Sequence, residues 1–215
     1  MHIEIVDTEQ KKKLFHRLPH RIYRDDRNWI APLKQDVERI FSEKNPWLQE
    51  HIAERYLLLD GDRILGRMAI SARKEQDENA LLRLGRMGFY ECADDPEAAA
   101  LLLQKAEYRL QELGCNAMDA PVNFGSRDRW WGLLTEGFVP PVYGLQYARP
   151  YYKKQFIDFG FQTYFEQYTY TLHDEIGLPN IVYAVRDRLV QRGNIRFASA
   201  DPKHLEKSAA DFLYI

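Results

Sequence analysis

Of the 215 residues only two are cysteines, Cys92 and Cys115. Two cannot make a disulfide framework, and their scarcity fits a reducing compartment. No hydrophobic run approaches membrane-spanning length: the longest, Ala98 to Leu103, falls far short of the ~20 residues a bilayer requires. An excess of one charge is also missing. Thirty Lys and Arg face 32 Asp and Glu, a formal net charge of −2, without the strongly basic footprint of a dedicated nucleic-acid binder. Met1-His2-Ile3-Glu4 has neither the basic stretch nor the apolar segment of a signal peptide. The expectation is a cytoplasmic protein with no nucleic-acid and no membrane partner. There is no Gly-x-Ser-x-Gly elbow and no Gly-x-x-x-x-Gly-Lys phosphate loop. His16 and His20 have the i, i+4 spacing of a metal pair, but Pro19 lies between them and no acidic or cysteine ligand is close in sequence, so no metal is expected.

What is present suits a globular domain. Hydrophobic residues make up 45% of the chain, enough for a sizeable core, and the aromatic 13% crowd between Trp130 and Tyr170. His2–Asp7 alternates like a short strand. Thr8 or Asp7 caps a helix through Leu14, Phe15 and Leu18, which Pro19 is expected to kink or interrupt. A second helix is expected over Leu33 to Glu43, stopped by Asn45-Pro46. Tyr56 to Leu59, the turn Asp60-Gly61-Asp62 and Arg63 to Ala72 read as a β-hairpin, with Ile64, Gly66, Met68, Ile70 and Ala72 on one face. Leu81 to Glu91 is a further strand.

Asp94-Asp95-Pro96-Glu97 opens a long helix, because an Asp cap precedes a Pro at the first helical position. Its apolar stripe runs through Ala99, Leu102, Leu103, Ala106 and Leu110, and Gly114 stops it. Cys115 to Val122 reads as a buried strand, Arg127 to Glu136 and Tyr151 to Phe159 as helices, and Gln162 to Leu172 as a strand. A long helix between neighbouring strands implies a crossover and a mixed sheet. After Gly177-Leu178-Pro179 the pattern starts again: a helix over Ile181 to Gln191, a strand-like Asn194 to Ala200, and a helix from Asp201-Pro202 to Ile215. This gives a first domain over 1–175. Residues 176–215 then form a linker with the start of a second, truncated copy, or a C-terminal helix packing back on the first domain.

A series of short words runs through the chain: Asn28-Trp29-Ile30-Ala31-Pro32-Leu33, Lys44-Asn45-Pro46-Trp47, Gly61 to Arg67, Gly88-Phe89-Tyr90-Glu91, Ala120-Pro121-Val122-Asn123-Phe124, Leu133 to Phe138 and Pro150-Tyr151-Tyr152. With the element order, this series resembles the GNAT superfamily of acyl-CoA-dependent N-acyltransferases, and within it a subgroup of longer, apparently two-unit bacterial proteins. The resemblance spans about residues 1 to 175. It implies an α/β (α+β) fold with a central mixed, mostly antiparallel sheet flanked by helices. It also implies acetyl-CoA or another acyl-CoA as cofactor and a small-molecule or peptide amine as acceptor.

Carried over residue by residue, the resemblance places Glu91 at the end of the fourth strand as general base, Asn123 after the fifth strand as an orienting amide, and Tyr152 as the acid returning a proton to sulfur. Tyr90, Cys92, Ala93 and Asp94 take the place of the cofactor-binding loop. The usual glycines of that loop are absent, and the usual terminal tyrosine is replaced within Phe156-Ile157-Asp158-Phe159-Gly160-Phe161. Asp94, Asp95 and Glu97 would repel a diphosphate, each pair at about 5 Å costing on the order of 3 kcal/mol before screening. Two functions therefore stand side by side: an N-acyltransferase, or a non-catalytic binding or assembly module that keeps the fold without a working CoA loop. Cys92, among acidic neighbours, reads as structural. The aromatic region lines a groove or packs a core, and exposed members would drive association into a homodimer.

Overall fold

The computed structural model describes residues 1–77, 79–124, 132–171, 177–193, 199 and 201–214. Its centre is a hairpin of β2 (His51–Asp60) and β3 (Arg63–Arg73), turned at Gly61, whose φ of 54° needs the left-handed region a glycine tolerates. β1 (His2–Ile5) adds antiparallel to β2, and β4 (Leu84–Cys92) antiparallel to β3. β5 (Ala117–Asp119) pairs parallel with β4, which completes a mixed five-stranded sheet in the order β1-β2-β3-β4-β5.

Helices cover both faces. On one face lie α1 (Glu9–Ile22), α2 (Lys34–Ile40) and the short α3 (Trp47–Glu50), where Phe15, Leu18 and Val37 bury against Leu57, Ala69 and Phe89. On the other lie α4 (Pro96–Glu112) and α5 (Tyr152–Phe159), where Leu102, Leu103, Ala106 and Phe156 meet Leu58, Met68, Ile70 and Met87. A strand covered on both faces has no need of polar alternation, which is why β3 is buried from Ile64 to Ala72 with Arg67 and Ser71 as its polar members.

The residues of β3 expected on one face are divided between two. Ile64 belongs to the α1 side, whereas Met68, Ile70 and Ala72 belong to the α4 side. Leu58 pairs with Gly66 while Leu59 pairs with Ile64, so β3 carries one extra residue at Leu65. A one-residue bulge inverts the faces of everything beyond it.

Helix ends follow local chemistry. The Thr8 side chain accepts from Lys11 N, and Asp95 accepts from Glu97 N at 2.9 Å and Ala98 N at 3.1 Å. α5 closes at Gly160, with φ of 111°. α2 is shorter than expected, because its start has no side-chain cap, Phe41 already leaves helical geometry, and Asn45 Nδ2 closes its end by donating to Ile40 O at 2.8 Å. Residues 162–171 form no strand and 132–136 no helix; aromatic–polar alternation supplies no partner strand, and a strand without one is not stable. The rest of the expected 127–136 helix, Leu172 and the strand-like residues 194–198 and 200 lie outside the described residues. The chain divides into two compact units, Met1–Thr163 and Tyr164–Ile215; the second holds α6 (Asn180–Arg192) and α7 (Leu205–Tyr214).

Candidate functional site

The site begins with an irregularity in β4. Arg67 pairs with Glu91 but Ala69 with Gly88, so β4 carries one extra residue opposite β3. Phe89 absorbs it at a φ of +52°, uncommon for a non-glycine residue. Its backbone N–H is taken by Asn123 Oδ1 at 2.6 Å, and Val122 N donates to Met87 O at 2.7 Å. Here the chain after β5 crowds β4: a Cβ on Gly88 would stand 2.1 Å from Val122 O. Beyond Asn123 the two segments part, and the edge of β4 from Glu91 to Ala93 is left to other partners.

Those partners come from α5. Tyr152 Oη donates to Glu91 Oε2 at 2.8 Å and accepts from Cys92 N at 3.0 Å. Tyr151 Oη donates to Cys92 O at 2.9 Å, and Gln155 Nε2 to Ala93 O at 2.9 Å. Tyr90 Oη completes the network by donating to Gln155 Oε1. Tyrosines and a glutamine thus stand where an edge strand would pair.

Glu91 faces a second buried charge. Arg67 Nη2 lies 3.7 Å from Glu91 Oε1, and both side chains are over nine-tenths buried. Arg67 is anchored by Nη1 donating to Phe15 O at 2.7 Å. That carbonyl is available because Pro19, four residues on in α1, has no N–H to offer it. The proline does not break α1, which runs on to Ile22; its missing donor is replaced by a guanidinium. Among the described residues, Arg67 Nε and Tyr23 Oη are buried without a hydrogen-bond partner. Burial pushes the Glu91 carboxyl above its ordinary value, against the opposing pull of Arg67 and Tyr152. Burial and then the Glu91 charge raise the Tyr23 and Tyr152 hydroxyls far above theirs.

On the α1 side of this pair is a cavity of about 330 Å³. Arg67, Glu91 and Asn123 line its sheet side, Trp29 and Pro32 the loop after α1, and Tyr143 and Tyr147 the opposite wall. It combines apolar walls with one carboxyl group, one guanidinium and the amides of Asn123 and Gln146, a composition suited to a compact polar ligand. Among the sequence candidates, Glu91 and Asn123 therefore share a cavity and Tyr152 bonds Glu91. Tyr90 and Cys92 are core residues, Ala93 is held through its carbonyl, and Asp94 is exposed. Cys92 is pushed up to about 12, by burial first and by its acidic neighbours second. Arg67 and Gln155 were missed. A lone arginine within an apolar strand is a readable signal for the first; nothing in the sequence marks the second. Trp130 and Trp131 lie outside the described residues.

The fit of an acyl-CoA can be tested on these contacts. A diphosphate at the start of α4 would need free backbone N–H groups. Asp95 already occupies those of Glu97 and Ala98, and Pro96 has none. The β4 edge that a pantetheine chain would follow is bonded to Tyr151, Tyr152 and Gln155. The residues present do not fit the group.

No protein-family profile matches the chain. It is 29% identical over 150 residues to Protein YghO of Escherichia coli K12, a match that covers 69% of this chain and 38% of that protein. The chain thus matches well under half the length of this curated relative. Among solved structures, it is similar to an aminoglycoside antibiotic 6'-N-acetyltransferase from Acinetobacter haemolyticus, at 14% identity and a TM-score of 0.47, covering 80% of this chain and 99% of that one. It is also similar to a probable acetyltransferase, at 19% identity and 0.45, covering 81% and 99%. A third, a predicted acetyltransferase with acetyl-CoA from Clostridium acetobutylicum, is 12% identical at 0.46, covering 79% and 95%.

Proposed function

We propose that this chain is a GNAT-like unit acting as a small-molecule binding module: it takes a compact amine-bearing ligand into the cavity over Glu91, Arg67 and Asn123, and its acyl-CoA side is closed. The observation that carries this reading is the saturation of the β4 edge, where Cys92 N, Cys92 O and Ala93 O are all bonded to α5 side chains. A cofactor would have to displace three hydrogen bonds, one buried and two partly buried, each worth about 1 kcal/mol net and more where a buried partner is left unpaired. It would also meet the Asp95 cap. The ligand side supports the same reading. Glu91 accepts from an ammonium or amine, and the unpartnered Arg67 Nε beside it requires an acceptor.

The second reading is catalysis, an N-acyltransferase acting on that amine, and it is favoured by the raised pKa of Glu91. A carboxylate with a raised pKa, facing a cavity, suits a general base taking the amine proton. Calorimetry with acetyl-CoA and longer acyl-CoAs separates the two. The module reading expects no heat from any of them. Micromolar binding of acetyl-CoA, with acyl transfer abolished in Glu91→Gln, would replace it with the enzyme.

A further inference from the structure

A larger cavity, of about 570 Å³, lies on the same sheet face at the other end of β3 and β4. Register explains how it is built. His51 pairs with Arg73, and Ser71 with both Ala53 and Arg86, so His51, Ser71, Arg73 and Arg86 project from one face. This face carries Ala69 and Phe89 further along, where α1 and α2 cover it. At the Arg73 end the cavity stays open, bounded by Trp47 of α3 and by the β3–β4 connection, which contributes Arg83.

The described lining of this cavity is short of carboxylates. Ser71 is 1% exposed, and its Oγ has no hydrogen-bond partner among the described residues. Arg86 has no ion pair or hydrogen-bonded side-chain partner among the described residues. Among the described residues the Arg73 side chain reaches only Glu50, at 3.4 Å and in solvent. Arg83 gives Nε to Gly114 O at 2.7 Å and Nη1 to Ala80 O at 3.4 Å, which fixes its guanidinium and leaves Nη2 over. His51 donates Nδ1 to Trp47 O and stacks on the Trp47 ring at 3.9 Å, and its Nε2 has no hydrogen-bond partner among the described residues. Against three guanidinium groups the described lining holds one carboxylate, Asp77, which accepts from Asn79 N. Burial, reinforced by the charges of Arg73 and Arg86, holds His51 below its ordinary value, as expected where the local field is positive.

We infer that this cavity is a second binding site, taking a small phosphorylated compound whose phosphate is held by Arg73, Arg83, Arg86 and the Ser71 hydroxyl. Planar guanidinium forks match phosphate oxygens two at a time, and a buried hydroxyl without a partner gains one. The volume exceeds what inorganic phosphate fills, and Trp47, Leu82 and Leu84 give the organic part apolar walls. The site is independent of the Glu91 cavity, from which it is separated by the packed rings of Phe41, Phe89 and Phe124.

Calorimetry on the full chain at low salt tests this, with inorganic phosphate, ribose 5-phosphate and AMP as probes. The expected result is saturable binding of at least one organic monoester, about tenfold tighter than inorganic phosphate. Arg86→Ala should weaken it by about tenfold or more, and Ser71→Ala by several-fold. Arg86→Lys, which keeps the charge and loses the fork, should fall between wild type and Arg86→Ala, and it serves if the alanine variant does not fold. Glu91→Gln should leave this binding unchanged. Absence of heat with all three probes, tightest binding by inorganic phosphate, equal affinity in the Arg86 variants, or loss in Glu91→Gln would each overturn the assignment.

Discussion

Arg67 sits between a carboxylate and a carbonyl that a proline has set free, and the energetics of the site follow from that placement. Removing one partner of such a buried pair leaves the other uncompensated, which costs about 3–5 kcal/mol. The titration of Glu91 gives a sharper test. Its folded-state carboxyl lies above the ordinary 4.5, chiefly through burial. The folded state therefore holds this proton more tightly than the unfolded one. The resulting stability is complete below 4.5 and is lost as pH rises through the folded value. We expect the melting temperature of the wild type, relative to Glu91→Gln, to fall as pH rises from about 4.5 through the folded-state value. A difference that is flat or rises with pH would contradict the burial of this group.

Cys92 offers a second residue-scale test. With its thiol pushed up to about 12, iodoacetamide at pH 8 should alkylate it at least about a hundredfold more slowly in the folded Cys115→Ser chain than in urea. Equal rates would place it in solvent.

At the scale of elements, two junctions decide the shape of the site. Gly88 lets the segment after β5 approach β4, since a Cβ there would overlap Val122 O. We expect Gly88→Ala to lower stability by about 1–3 kcal/mol or more in urea unfolding and to disturb the Asn123–Phe89 hydrogen bond. The start of α4 is the other junction. Replacing the cap, Asp95→Ala, should cost about 1 kcal/mol. On the module reading it should still not admit acetyl-CoA by calorimetry, because Tyr151, Tyr152 and Gln155 continue to hold the β4 edge.

The elements also show where the sequence was legible. Asp95-Pro96 and Gly114 marked the ends of α4, and the hairpin turn at Gly61 was plain, because caps and turns are local chemistry. The bulges at Leu65 and Phe89 were not visible, because register is set by the partner strand. The aromatic–polar alternation after Gln162 had the form of a strand without a neighbour to pair with, and so formed none.

At the scale of the whole molecule, residues 1–163 contain the complete sheet and the cores on both of its faces. A chain ending at Thr163 should therefore unfold in one cooperative transition with its sheet signal retained, as followed by circular dichroism during urea titration. A broad, non-cooperative transition would show that residues 164–215 are part of the folding unit. None of the helices described is long and apolar enough to cross a membrane.

The sequence by itself determined the order of the five strands among α1, α2, α4 and α5 and the acid-capped start of α4, though not the short α3. Each of these depends on residues within a few positions of one another. Only the tertiary structure decided that Pro19 serves Arg67, that α5 seals the edge of β4, and that four polar residues from three strands open onto one cavity. Those facts depend on which groups are left without a partner once distant segments meet, and that pairing is fixed only in the packed chain.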